Sequence, residues 1–327
     1  MADLSTSYLG LTLKNPLVVS SSNLTSTVEK IVKCEDHGAA AVVCKSLFEE
    51  QIEADSGKML EDVDSAQYSA AYEYLEKSSQ YHYMDAYFSL IEEAKKRVSI
   101  PVIASVNCLS VDRWIDYAKR FEAVGADALE LNVFILPSDV RTKGETVERV
   151  YLDMCGALSR RVKLPFAMKL GSHFSGLANM LSRLEAEGAA GFVLFNRFYN
   201  PDVDIERLRL VAAPLLSAPE EMALSLRWIA LLSGEMKADF AAATGIHDTK
   251  SVIKQLLVGA KTTQLCTALL KHGLSYMSTI IEELEEWMDR HSFPAISDFQ
   301  GKLCQEQSSD PGSYERAQYV KALVGIS

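Results

Sequence analysis

Proline, paired cysteines and long apolar runs are all scarce in this chain, and each shortage removes a class of protein. With 9 prolines and 17 glycines in 327 residues, neither a collagen-like repeat nor a low-complexity chain fits. The six cysteines (Cys34, Cys44, Cys108, Cys155, Cys266 and Cys304) are scattered without a C-x-x-C pair. That spacing excludes a disulfide scaffold, gives no zinc or iron–sulfur signal, and leads us to expect no metal site. Each cysteine reads as a small buried hydrophobe in a reducing compartment. No stretch has the apolar length needed to span a bilayer. The polar start, Met1 to Ser7, has neither the basic region nor the apolar run of a secretory signal, and no amphipathic anchor. A cytosolic location is the expectation. Basic residues are also in the minority: 33 Lys and Arg against 44 Asp and Glu leave a net charge of −11 with no basic block. That balance argues against nucleic acid or an anionic membrane as partner. A small anionic ligand held by one or two local cations stays open.

What is present is an alternation. Short apolar or β-branched runs occur at Pro16–Ser20, Ala41–Lys45, Val102–Val106, Ala128–Asn132, Phe166–Leu170, Gly191–Phe195, Asp239–Ala243 and Thr263–Thr267. Between them lie stretches of helical period, clearest at Thr27–His37, Asp112–Ala123, Val147–Arg161, Leu177–Glu187 and Thr249–Leu257. Near-continuous apolar strands separated by helices imply parallel strands buried on both faces. Eight such units predict an α/β fold, a closed (β/α)8 TIM barrel. Four helix-to-strand joints repeat one signature, at His37-Gly38, Val124-Gly125, Glu187-Gly188 and Val258-Gly259; a glycine just past a helix suits a left-handed cap. Long insertions follow strand two (Leu47 to about Met84), strand four (Val133–Glu145) and strand six (Asn196–Pro219). All three fall on the face where barrel enzymes build their sites. No composition break divides the chain, so residues 1–327 are expected to form a single domain, with the barrel over about 15–272 and a C-terminal helix and tail over 273–327. Tyr276, Ile280, Leu284, Trp287 and Met288 recur at helical spacing and predict an outer helix. The tail from Ala295 reads as a surface segment.

In apolar strands the informative residues are polar ones at the C-terminal ends. Lys45-Ser46 ends strand two, Asn132 ends strand four, Lys169 ends strand five, and Asn196-Arg197 follows strand six. A lysine at a strand end commonly snorkels or pairs at a rim. Two lysines and two asparagines at one end of a barrel would instead form a cationic, hydrogen-bonding floor for an anion or an electron-rich heterocycle. Arg197 suits a substrate carboxylate or an acid of the protein equally. The last two strands lead into Thr244-Gly245-Ile246 and Cys266-Thr267-Ala268. Either these turns hold a phosphate on backbone N–H groups, or threonine or Asp248 simply caps a helix.

Asn15-Pro16 leading to Ser20-Ser21-Ser22, then Lys45-Ser46, Glu130-Leu131-Asn132, Met168-Lys169-Leu170, Asn196, Thr244-Gly245-Ile246 and Thr267-Ala268-Leu269 together resemble the dihydroorotate dehydrogenases, closest to their soluble class and a divergent dihydroorotate dehydrogenase-like branch. The resemblance runs from about Tyr8 to Gly301. It implies a cytoplasmic, homodimeric FMN flavoprotein that oxidises a dihydropyrimidine, with dihydroorotate to orotate in pyrimidine biosynthesis as the default. It places Ser20, Ser21, Lys45, Ser46, Ser105, Asn132, Lys169, Thr244, Gly245, Cys266 and Thr267 at the cofactor, and Lys45, Asn132 and Asn196 at the substrate. Lys169 would sit by the pyrimidine end of the flavin, and Gly245 and Thr267 would meet the phosphate through backbone amides.

Departures from the family pattern are specific. Its strand-four loop, Asn-x-Ser-Cys-Pro-Asn, supplies a cysteine base; here the loop reads Asn132-Val133-Phe134-Ile135-Leu136-Pro137, and Ile135 occupies the base position. The strand-two substrate loop is replaced by an aromatic segment with Tyr68, Tyr72, Tyr74, Tyr81, His82 and Tyr83. Ser105, Ser138, Asp139, His173 and those tyrosines are the alternative bases. Two other functions compete: a non-catalytic flavin or ligand binder, and a barrel lyase forming a Schiff base on Lys45 or Lys169.

Overall fold

The computed structural model describes residues 2–48, 84–107, 111–198, 200–213 and 215–316. The tyrosine-rich segment after strand two, with its Tyr68, Tyr72, Tyr74, Tyr81, His82 and Tyr83, lies outside the described residues, as does Cys108.

A short antiparallel hairpin, β1 (Thr6–Tyr8) and β2 (Leu11–Leu13), precedes the barrel. The barrel strands are β3 (Leu17–Val19), β4 (Ala41–Val43), β6 (Val102–Asn107), β7 (Ala128–Asn132), β8 (Phe166–Leu170), β9 (Gly191–Leu194), β12 (Asp239–Ala242) and β13 (Thr262–Leu265). Each pairs in parallel with its neighbours, and β13 returns to β3 to close the ring. This is the (β/α)8 barrel that the alternation predicts. A short β5 (Leu47–Phe48) extends the pairing along β6. The expected eighth strand, Thr263–Thr267, is corrected at its end: pairing stops at Leu265, and Thr267 opens a short helix. All four glycine joints take the left-handed conformation, with φ of +97° at Gly38, +83° at Gly125, +111° at Gly188 and +107° at Gly259.

Strand alternation divides the interior into layers. Inward-facing Val18, Ala41, Val43, Ile103, Ala128, Ala167, Val193 and Ala241 are mostly small, and Tyr8, Leu9 and Leu13 of the hairpin pack among them. The hairpin therefore plugs the N-terminal mouth, pinned by the Leu9 N–H donating to Asp239 Oδ2 at 2.7 Å. Outward-facing Leu129, Leu131, Met168, Leu170, Phe192 and Phe240 meet the helical shell. Above the small-residue layer the interior turns polar, toward the C-terminal mouth.

The shell follows the predicted helices: Val28–Asp36, Val111–Ala123, Gly144–Ser159, Leu177–Ala186 and Thr249–Leu257. A further helix over 84–97 buries Met84, Tyr87, Phe88, Ile91 and Ala94, a helical period that the sequence reading passed over. The outer helix Tyr276–Arg290 buries Met277, Ile280, Leu284 and Met288. The tail beyond it corrects the expectation of a surface segment, because Ile296, Phe299 and Cys304 are buried. Its N–H groups at Gly301, Leu303 and Gln305 donate to the carbonyls of Leu256, Leu257 and Ala230. Those carbonyls lie in the last turns of the helices Met222–Leu232 and Thr249–Leu257, where the intrahelical donors run out.

Buried thiols give the barrel a pH dependence. Burial pushes Cys34 up from 9.0 to about 11, and Cys44 and Cys155 to about 12. Because the folded-state values are raised, this contribution is complete below the unfolded value near 9 and disappears as pH rises through the folded values. Denaturant midpoints measured from about pH 8 to about pH 12 are expected to fall once the unfolded thiols ionise. A flat profile would contradict this account.

Candidate active site

Five polar residues close the barrel interior just beneath its C-terminal mouth: Ser20, Ser105, Glu130, Lys169 and Gln264, all buried. Lys169 is 6% exposed and Glu130 2%. The Lys169 ammonium donates to Gln264 Oε1 at 2.9 Å and to Ser20 Oγ and Glu130 Oε1 at 3.3 Å each. Gln264 Nε2 donates to the other Glu130 oxygen at 2.5 Å, and Ser20 Oγ donates to Gln264 Oε1 at 3.2 Å. In the closed ring β13 stands diametrically opposite β7, and β3 opposite β8. The Gln264–Glu130 and Ser20–Lys169 bonds therefore cross the full width of the barrel. A carboxylate this enclosed is costly unless paired and hydrogen-bonded, and here both of its oxygens are engaged.

Beside this floor lies a second chain of hydroxyls. Ser21 Oγ and Ser46 Oγ are 2.9 Å apart, Ser46 Oγ and Ser105 Oγ 2.7 Å, and the Ser105 N–H donates to Tyr87 Oη at 3.2 Å. Ser105 is completely enclosed, and its hydroxyl meets Ser46 of the cavity wall.

Two cavities open above the floor. One, of about 600 Å³, is lined by Ser21, Lys45, Ser46, Asn107, Asn132, Phe134, Lys169, Asn196 and Arg197, among others, and by no carboxylate among the described residues. Asn196 Nδ2 donates to Asn132 Oδ1 at 2.6 Å, which fixes both amides at its edge. Arg197 is engaged by Glu221 at 2.9 Å and by the Leu215 carbonyl at 3.0 Å. The Lys45 ammonium has no carboxylate partner among the described residues. The second cavity, of about 200 Å³, adjoins the first through Ser21, Lys169, Asn196 and Arg197 and extends to Thr244, Gly245, Ile246, Cys266 and Thr267.

At that far end the chain presents backbone donors. Among the described residues no acceptor meets the N–H groups of Gly245, Ile246 or Thr267, all of which line the cavity. Thr244 and Gly245 both take positive φ, +67° and +80°. The strained Thr244 is held by its hydroxyl donating to the Phe195 carbonyl at 2.9 Å. The capping alternative also holds in part: Asp248 caps the helix Thr249–Leu257 through the Ser251 N–H, so Thr244 and Gly245 are not needed as caps. The strand-six excursion, which carries the hairpin β10 (Pro201–Asp204) and β11 (Arg209–Ala212), folds back over this end. Its Ser217 donates from both N–H and Oγ to Thr267 Oγ1, at 3.2 and 3.0 Å, and lies 3.0 Å from His247 Nε2. Desolvation, with Lys271 adding to it, holds the His247 pKa below its usual value; burial raises that of the Cys266 thiol. Orphaned amides around a cavity with a cationic floor suit a phosphate group.

The predicted residues Ser20, Ser21, Lys45, Ser46, Asn132, Lys169, Asn196, Thr244, Gly245, Cys266 and Thr267 thus all line one of two adjoining cavities. Ile135 does not: it packs partly buried against the core with its N–H on Tyr151 Oη, and its neighbour Phe134 faces the cavity. Phe134 stacks on Phe198 with ring centroids 3.6 Å apart. Of the alternative bases, Ser138 and Asp139 are exposed, and Asp139 is held by Arg141. His173 lines a neighbouring cavity, with its ring 6.0 Å from that of Phe134. Gln264, Phe198 and Ser217 were missed. An inward glutamine in an apolar strand was the signal available for the first; the other two sit in loops without one.

Residues 3–288 match the family described as dihydroorotate dehydrogenase. The chain is 27% identical over 309 residues to the dihydroorotate dehydrogenase B (NAD(+)) catalytic subunit of Thermoplasma acidophilum, covering 92% of this chain and 99% of that protein. It is 24% identical over 338 residues to the chloroplastic dihydropyrimidine dehydrogenase (NADP(+)) of Arabidopsis thaliana, covering 93% and 77%. With the Escherichia coli NAD-dependent dihydropyrimidine dehydrogenase subunit PreA it shares 22% over 331 residues, covering 91% and 76%.

A Cβ at Gly245 would collide with the Met222 backbone, and φ there is +80°. Gly245→Ala is expected to cost about 1–3 kcal/mol in denaturant unfolding and to weaken binding of a phosphate-bearing ligand. Unchanged stability would contradict the geometry of this turn.

Proposed function

The chain belongs to the dihydroorotate dehydrogenase family, and on that premise we propose that it is an FMN-dependent oxidoreductase acting on the CH–CH bond of a small anionic dihydropyrimidine, with dihydroorotate, oxidised to orotate in pyrimidine biosynthesis, as the reference substrate. The observation that carries this reading is the adjoining pair of cavities, one ending in unpaired amides and the other lined by Lys45, Asn132 and Asn196, over a shared Lys169.

When bound, FMN supplies the two-electron acceptor. Gly245, Ile246 and Thr267 would hold its phosphate through N–H groups, donors that the side chains of Thr244 and Cys266 leave in place. Ser20, Ser21, Ser46 and Cys266 wall the cofactor, and Ser105 acts behind Ser46. Lys169 would sit by the electron-accepting pyrimidine end of the ring and favour the negative charge that reduction brings there. Lys45 meets the substrate carboxylate, since Arg197 is committed to Glu221. Asn132 and Asn196, locked to each other, orient the ring edge. All three donors of Lys169 are committed, an arrangement unsuited to an amine nucleophile and unfavourable to a Schiff base on that residue. The exposed Val203, Ile205, Leu208 and Leu210 of the β10–β11 hairpin support the homodimer that the resemblance implies.

One observation favours a second reading, a flavin-binding homologue without turnover: Phe134 faces the cavity and Ile135 the core where a proton-transferring side chain is needed. Anaerobic stopped-flow mixing of the FMN-loaded protein with dihydroorotate and with dihydrouracil separates the two. Bleaching of the flavin by dihydroorotate is the expected result; saturable FMN binding with no bleaching by either ring selects the binder. Failure to bind FMN at all contradicts both. Lys45→Ala is expected to raise KM for the carboxylated ring about 10–100-fold and to leave the uncharged ring unaffected, the loss of one charged hydrogen bond.

A further inference from the structure

Glu130 is not needed to fill the barrel: a leucine or methionine would close the same layer without burying a charge. Its two oxygens have two different donors, the Lys169 ammonium at 3.3 Å and the Gln264 amide at 2.5 Å. Gln264 cannot turn over, because its Oε1 already accepts from Lys169 at 2.9 Å and from Ser20 at 3.2 Å. Only an ionised carboxylate at position 130 accepts from both sides. The chain thus holds a full negative charge against the cation that forms the floor of both cavities, at a site 2% exposed where water screens little.

We propose that Glu130 is a positioning residue that sets the oxidising power of the bound cofactor, fixing the Lys169 ammonium in place and cancelling part of its field. The proposal rests on the FMN reading above. Reduction of the flavin by two electrons and one proton adds one negative charge to the ring. Lys169 favours that charge and Glu130 opposes it, so the pair makes the flavin a weaker oxidant than the lysine alone would.

The test is the midpoint potential of bound FMN, measured by dye equilibration in the wild-type chain and in Glu130→Gln. The variant is expected to raise the ratio of reduced to oxidised flavin at fixed ambient potential at least tenfold, about 30 mV for a two-electron couple. A purely structural glutamate would alter thermal stability and leave the potential where it was. Removing one member of a buried pair can prevent folding. The double variant Glu130→Met with Gln264→Met removes the carboxylate together with the amide that donates to it, leaving Lys169 to Ser20 and the bound flavin, and the same rise is expected there. A reduced-to-oxidised ratio less than tenfold above wild type in whichever variant folds with FMN bound, or a shift in the opposite direction, overturns the proposal. A wild-type chain that binds no FMN overturns instead the reading on which it rests.

Discussion

The crossed hydrogen bonds beneath the mouth of the barrel are the constraint on which the rest of the site depends. Gln264 reaches Glu130 and Ser20 reaches Lys169 across the barrel, and the ammonium joins the two spans. A (β/α)8 interior is ordinarily filled with branched apolar side chains. Here the lower layer is filled by alanine and valine with the Tyr8 plug, and the upper one is polar. Such a layer tolerates no missing partner, because each unpaired buried group costs about 1–3 kcal/mol. Its rigidity gives the two cavities a fixed floor.

From that floor the two ends of the site diverge in how they tolerate change. At the Gly245–Thr267 end the useful groups are backbone amides, so side chains can vary as long as the turn keeps its conformation. Thr244 illustrates the limit: a β-branched residue in left-handed space, kept there by one hydrogen bond to Phe195. At the Lys45–Asn132 end the useful groups are side chains, and substitution changes the chemistry directly. The stacked Phe134 and Phe198 give that end an aromatic wall.

Much of this was legible in the sequence, for reasons that differ by element. Strands buried on both faces carry unbroken apolar runs, so all eight barrel strands stood out, and the glycine joints marked where helices stop. The β1–β2 hairpin was not legible, because three-residue strands carry too little pattern; neither was the β10–β11 hairpin, whose outward Val203 and Leu210 are exposed. The tail read as surface because its few apolar residues, Ile296, Phe299 and Cys304, lack a period, yet its backbone completes two helix ends. Strand-end lysines and asparagines pointed to the site since nothing in a barrel wall needs them. Gln264 and Glu130 were harder to read: their significance lies in being opposite one another, a relation set by ring closure and invisible along the chain. The place of Ile135 shows the reverse case. The family resemblance puts it at the base position, and local packing turns Phe134 to the cavity instead.

The central claim is that one cofactor lies across both cavities with its anionic end on the last two strand ends. A crystal structure of the FMN complex tests it most directly. The account predicts the phosphate within hydrogen-bonding distance of the Gly245, Ile246 and Thr267 amides and the pyrimidine edge of the ring against Lys169. A phosphate bound elsewhere, or a ring that leaves Lys169 in contact only with Glu130, Gln264 and Ser20, would contradict it.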